Sequence, residues 1–241
     1  MAKYFVEDAS LTSVADAIRA KGGTSEALSF PDGFVSAVEG IQAGGGDPGE
    51  LLRLRAMNAS TDLVLDMQGN TQGVGAFSGW TNLKTAKIIN TYCNGWTGES
   101  AFNGCSNLER VELVGRTDKE SGMPYYGFRN CPKMKELVLR RFNGYDGTSY
   151  LSSQNFRLLA IERNSVPYLS AGTALDNTAF KTGGGVFLIN ASQVENCKTA
   201  TNWSAVYAYG NRFLPLEDYT VDGTTSGEID WDKVNALFEE A

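Results

Sequence analysis

The residues able to do chemistry are few in kind. Four cysteines, Cys93, Cys105, Cys131 and Cys197, are spaced too widely for a C-x-x-C pair, and the sequence contains no histidine to complete a zinc or thiol–imidazole site. Without imidazole the commonest general base and metal ligand is missing, so any catalysis would fall to carboxylate, lysine or thiol groups. Paired carboxylates could hydrolyse a glycosidic bond, and Glu109, Glu112, Asp118, Glu120 and Glu136 are the acids that a depolymerase would use. These acids alternate with Lys and Arg. Glu109-Arg110 and Lys135-Glu136 read as a solvated, charge-mixed strand face. The sequence therefore predicts no enzyme, no catalytic residue, no metal and no cofactor, with the depolymerase as the lesser alternative. The cysteines read as buried packing thiols from a reducing compartment of synthesis.

The charge of the chain points the same way. Its net −7 is carried entirely by residues 217–241, which hold eight acids and the single base Lys233; the other 216 residues balance 20 acids against 20 bases. A neutral body with an acidic tail lacks the basic surface that nucleic acid or an anionic membrane requires. No stretch approaches the roughly 20 apolar residues of a membrane span. The opening Met1-Ala-Lys-Tyr-Phe-Val-Glu-Asp8 has no apolar core of a signal peptide, so secretion is not expected. At 241 residues and 42% apolar, the chain has room for one main domain and a small module.

The module comes first. Gly44-Gly-Gly-Asp-Pro-Gly49 holds neither helix nor strand cheaply and reads as part of a linker over residues 44–50. Residues 1–43 before it begin with a strand-like Tyr4-Phe5-Val6. Then Leu11, Val14, Ala15 and Ile18 fall on one helical face between an N-cap at Ser10 and a stop at Gly22. Pro31 to Ile41 predicts a second short helix. Two such helices have more apolar surface than a small module can bury, which implies packing on copies of itself or on a larger assembly.

The main domain, residues 51–215, contains an internal repeat. AFSGWTNLKTAKI at 76–88, AFNGCSNLERVEL at 101–113 and GFRNCPKMKELVL at 127–139 align with periods of 25 and 26 residues. A period of this size predicts a solenoid whose units stack on one another. The final L-x-x-[VL]-x-[IL] sends alternate side chains to one side of a short strand. Phe77, Phe102 and Phe128 should form one internal column, and Trp80, Cys105 and Cys131 a second. Leu63–Met67 and Phe156–Ile161 read as degenerate flanking units, Val186–Ile189 as the closing strand, and Ser192–Tyr207 as a helix. In the acidic extension, residues 216–241, Asp222-Gly223 marks a turn, and Trp231, Val234, Leu237 and Phe238 share a helical face.

The three repeats resemble leucine-rich repeats of the BspA (surface-antigen) type over roughly residues 60–190. Two other segments resemble parts that recur in virion proteins of phages and prophages of gut Firmicutes. They are residues 11–24 with 30–38, and Ala200-Thr-Asn-Trp-Ser-Ala205 with residues 216–225. The resemblance implies an α+β chain: a small N-terminal helical module, a leucine-rich-repeat solenoid of short strands stacked with irregular coils, and a C-terminal helix and hairpin extension. It also implies a virion protein made in the host cytoplasm, a tail or fibre subunit that binds the bacterial surface. Its expected partners are other virion proteins through the N-terminal module and a host surface glycan or protein, in a homo-oligomer with a trimer favoured. A capsid-decorating or assembly subunit with no receptor role is the alternative.

Candidate contact loops are those that break the repeat rhythm, Thr91 to Trp96, Arg116 to Tyr126 and Asn143 to Tyr150. They carry Tyr92, Trp96, Tyr125, Tyr126, Tyr145 and Tyr150 among small polar residues, a mix that suits sugar faces or protein epitopes. The competing reading has these aromatics plug the core.

Overall fold

Short strands, some alternating apolar and polar side chains and some apolar throughout, organise the described residues beyond the Gly-rich segment. The computed structural model describes residues 61–68, 73–93, 99–123, 125–145, 153, 155–172, 174–175 and 178–239, together with Thr12, Ala15 and Asp16. The chain divides into two compact units, Met1–Asp47 and Pro48–Ala241. In the first, Thr12, Ala15 and Asp16 are helical and Ala15 is buried. The strand-like start, the helix expected over Pro31 to Ile41 and the linker at 44–50 lie outside the described residues.

In the second unit seven strands form one parallel sheet in chain order. They are β1 (Asp62–Asp66), β2 (Thr85–Thr91), β3 (Arg110–Gly115), β4 (Glu136–Arg140), β6 (Leu158–Glu162), β8 (Val186–Ile189) and β9 (Arg212–Pro215). Two short strands, β5 (Gly144–Tyr145) and β7 (Tyr168–Leu169), pair separately, also in parallel. Register follows the repeat: Ala86, Val111, Leu137 and Leu159 face one another in successive ladders, as do Ile88, Leu113, Leu139 and Ile161. A slip of one residue would turn every such row outward, so burial pins the register.

One face of the sheet packs on the turns that lead into β2, β3 and β4. Phe77 and Phe102 stack with centroids 4.9 Å apart, and Phe102 and Phe128 stack at 5.6 Å, all three fully buried. Such pairs contribute roughly 0.5–1.5 kcal/mol each beyond the area they bury. Cys105 and Cys131 occupy equivalent places in the adjoining column, where each Sγ donates at 3.0 Å to a turn carbonyl, of Phe77 and Phe102 respectively.

The α+β leucine-rich-repeat solenoid with an N-terminal helical module is corrected by this arrangement. The second unit is a mostly parallel seven-stranded sheet of α/β type with few helices. The physical reason lies in the strands beyond the three repeats. β6 and β8 are apolar on both sides, LLAI and VFLI, and a parallel sheet buried on both faces is the state such runs favour. β8 is accordingly not the closing strand, because β9 pairs along its other edge.

Among the described residues of the second unit, α-helix is confined to short pieces, α1 (Val194–Thr199), α2 (Trp203–Ala208) and α3 (Trp231–Ala236). The continuous helix expected over Ser192–Tyr207 is broken between α1 and α2, where Ala200 is extended and Asn202 adopts a left-handed φ of 67°. The acidic extension belongs to the same compact unit as the sheet. Thr220 and Ile229 make an antiparallel bridge, Asp230 caps α3 by accepting from the Lys233 N–H, and the segment covers the second face of the sheet. Ile229, Val234 and Leu216 there form one buried cluster with Val138, Leu158, Ala160, Val186 and Leu188.

Candidate functional site

Parallel strands in register end together, and their carboxyl ends are where open parallel sheets characteristically bind ligands. Here the residue that directly follows each of three adjacent strands is an arginine: Arg116 after β3, Arg141 after β4 and Arg163 after β6. Arg140 and Glu162 are ladder partners, so Arg141 and Arg163 hold matching places one step further on. They border a groove of about 530 Å³ that is also lined by Asp118, Lys119, Glu120, Glu162, Asn164, Ser165 and Thr225.

Each wall of the groove is held by named contacts. Arg116 Nε donates to Asp118 Oδ1 at 2.8 Å, and this hydrogen bond holds the Asp118 carboxyl below its ordinary range. Arg163 Nη1 lies 3.0 Å from Glu120 Oε1, and its Nε donates to Ser165 Oγ at 2.8 Å. Buried Asn190 secures the far rim: its Oδ1 accepts from the Arg163 backbone N–H and its Nδ2 donates to Asn164 Oδ1, both at 3.0 Å.

The loop carrying Lys119 and Glu120 is tied down by Ser121. This side chain is fully buried and donates to the Thr91 carbonyl at 3.2 Å. Gly115 lies beside it, where a Cβ would come within 3.1 Å of Ser121 Oγ and 2.7 Å of the Arg141 carbonyl oxygen. Arg141 is exposed, takes a φ of 60°, and donates from Nη1 to the Gly115 carbonyl at 3.3 Å. A left-handed backbone costs a non-glycine residue about 1–2 kcal/mol, strain of a kind that gathers at binding sites.

A second cluster of charges lies on the sheet face under the acidic extension. Arg110 pairs with Glu136 at 2.9 Å, Arg157 with Glu136 at 2.9 Å, Lys87 with Glu112 at 3.4 Å, and Arg140 with Glu112 at 2.7 Å and Glu162 at 3.4 Å. Arg140 also donates to the carbonyls of Thr225 and Gly227 at 2.8 and 2.6 Å, and Trp231 lies over the Arg110 guanidinium at 3.3 Å. The solvated face expected from sequence is therefore corrected in part. Glu109 and Lys135 are half-exposed, but the Glu136 side chain is only 3% exposed, because the extension lies on top of it.

Of the six aromatics singled out from sequence, the four that are described differ in their surroundings. Tyr92 is half-buried with Lys119 Nζ 3.8 Å above its ring. Tyr125 is half-buried and Tyr126 exposed, both on the turn that leads into Phe128. Tyr145 is 0% exposed and belongs to the core, so it offers no surface to a ligand. Trp96 and Tyr150 lie outside the described residues. The arginine row escapes a reading that looks for sugar-binding surfaces, because such a reading favours aromatics; its signal in the sequence is a basic residue directly after three consecutive strands.

All four cysteines are free and buried. Burial pushes the thiols of Cys93 and Cys131 up to about 12 and that of Cys197 to about 11. Thiolate is the reactive form. At pH 8 a disulfide-exchange reagent should therefore label Cys93 and Cys131 on the order of 1,000-fold, and Cys197 on the order of 100-fold, more slowly in the native protein than in denaturant. Rapid labelling of any of the three in the folded protein would contradict the packing role. Among the described residues no group of His, Cys, Asp and Glu is arranged to hold a metal ion, and no helix is long and apolar enough to cross a membrane.

Comparison with protein-family models, with curated proteins and with solved structures finds no match to this chain.

Proposed function

We propose that the chain is a virion protein of a bacteriophage, a tail or fibre subunit that binds the bacterial host surface through the sheet domain and attaches to other virion proteins through its N-terminal unit. The observation that carries this reading is the groove at the carboxyl ends of β3, β4 and β6. It is open, rich in hydrogen-bonding groups and braced by Ser121 and Asn190, as a preformed recognition site should be. Its carboxylates favour binding over acid–base work, because each is bonded to a cation: Asp118 to Arg116, Glu120 to Arg163 and Glu162 to Arg140. The resemblance of residues 11–24 with 30–38, and of 200–205 with 216–225, to virion proteins supports the setting.

Adsorption tests it. The full chain, labelled and added to intact cells of a Firmicutes panel, should bind a subset of strains saturably and should compete with particles that carry it. Absence of binding to every strain, with the protein located on particles away from the adsorbing structure, would instead favour an assembly role.

A further inference from the structure

The groove combines two kinds of group that one ligand chemistry would use together. Arg116, Lys119, Arg141 and Arg163 are four cations against the three carboxylates of Asp118, Glu120 and Glu162. Arg116 and Arg163 are neutralised by Asp118 and Glu120. Among the described residues, Arg141 and Lys119 pair with no carboxylate. Arg141 donates to the Gly115 carbonyl, and Lys119 rests on the Tyr92 ring. The excess is therefore one positive charge, set beside several hydrogen-bond acceptors and the side chains of Asn164, Ser165 and Thr225.

We propose that this groove binds an acidic saccharide, in which one carboxylate or phosphate oxyanion is taken by Arg141 and Lys119 and neighbouring hydroxyls donate to Asp118, Glu120 and Glu162. The proposal rests on the host-surface reading and narrows its ligand. A neutral sugar would leave the charge of Arg141 unanswered. A nucleic acid, with a phosphate at every nucleotide, would meet three carboxylates in the same groove and a chain of net charge −7. The volume of about 530 Å³ lies inside the roughly 300–1,000 Å³ of small-ligand clefts. Neighbouring strands stand about 4.8 Å apart, so the residues that come after β3, β4 and β6 span roughly 10 Å, the scale of a short oligosaccharide and not of an extended polymer lattice.

The experiment presents the full chain to an array of neutral, carboxylated and phosphorylated glycans, and in parallel to Firmicutes cell walls left untreated, amidated at their carboxyl groups or stripped of phosphodiester-linked polymer. Binding should be confined to acidic glycans and should weaken with added salt. One of the two wall treatments should abolish binding, which identifies the oxyanion as carboxylate or phosphate. Arg141→Gln should weaken binding about 10- to 100-fold, the loss expected for one charge-assisted hydrogen bond, and Arg141→Lys should recover part of it. Arg141 is exposed, so its variants should melt with the wild type; Lys119→Gln is a second variant that leaves the core untouched. Equal binding to neutral and acidic glycans, or full binding by both variants to untreated walls, would overturn the acidic-saccharide assignment while leaving the host-surface reading intact. Failure of the wild type to bind any wall or glycan would overturn both, as would preferential binding to DNA.

Discussion

Replacing Arg140 with leucine should destabilise the sheet domain by about 3–5 kcal/mol, the usual loss when one member of a buried ion network is removed. The side chain is 5% exposed and joins four partners from three parts of the chain: Glu112 on β3, Glu162 on β6, and the Thr225 and Gly227 carbonyls of the acidic extension. Truncation takes the cation from Glu162, leaves Glu112 with the longer contact to Lys87 at 3.4 Å, and leaves two carbonyls without their donor. For a domain of this size the fall in Tm should be roughly 6–20 °C, and limited proteolysis should open the extension first, between residues 217 and 230. Arg140→Lys should lie in between, since an ammonium cannot span two carboxylates and two carbonyls as a planar guanidinium does. A triple change of Arg140, Glu112 and Glu162 to leucine tests the cause. If the cost comes from orphaned charges, the triple variant should regain much of the stability lost by the single one. An unchanged Tm for Arg140→Leu would show that the network is incidental.

The parts of this arrangement that could be read from the sequence are those in which one residue's role is repeated by its counterparts. Phe77, Phe102 and Phe128 announce a column because they recur at 25 and 26 residues, and the rings stack accordingly. Cys105 and Cys131 could be taken from redox chemistry to packing on the same ground, since Trp80 fills the equivalent place. The strands β2, β3 and β4 fall where the L-x-x-[VL]-x-[IL] pattern puts them.

The fate of faces could not be read. The pattern identifies the side of each strand that meets the phenylalanines, but it is silent on whether the other side meets water. In β2 and β3 that other side carries Lys87, Arg110 and Glu112, and a solvated reading is natural. In β6 and β8 it carries Leu158, Ala160, Val186 and Leu188, which need a second cover. Those doubly apolar runs were the available sign that the acidic extension folds onto the sheet. The same limit affected the candidate site. Loop aromatics are conspicuous in sequence, yet Tyr145 turns inward, whereas Arg116, Arg141 and Arg163 become a group only when strand ends are aligned.

Removing the extension is expected to have the largest effect of all. A chain that ends at Leu216 uncovers Val138, Leu158, Val186 and Leu188, each at most 1% exposed in the intact protein. Burying a side chain of this kind contributes roughly 1.5–3 kcal/mol, so loss of cover over the four removes on the order of 6–12 kcal/mol as an upper bound. That is comparable with the entire net stability of a typical domain, about 5–15 kcal/mol. Truncation also strips Trp231 from Arg110 and Phe238 from Arg157, and leaves Arg140 without its two carbonyl acceptors. The shortened chain should bind a hydrophobic dye and elute as aggregates in size-exclusion chromatography with light scattering. Val234→Asp places one charge in the same buried interface without shortening the chain, and should produce a milder form of the same behaviour. A monodisperse truncated protein with the Tm of the full chain would mean that the acidic segment decorates the sheet without stabilising it. The net charge of −7 would then serve solubility alone, whereas cover of the apolar face gives its carboxylates a second role, that of keeping the outer surface of a hydrophobic lid in water.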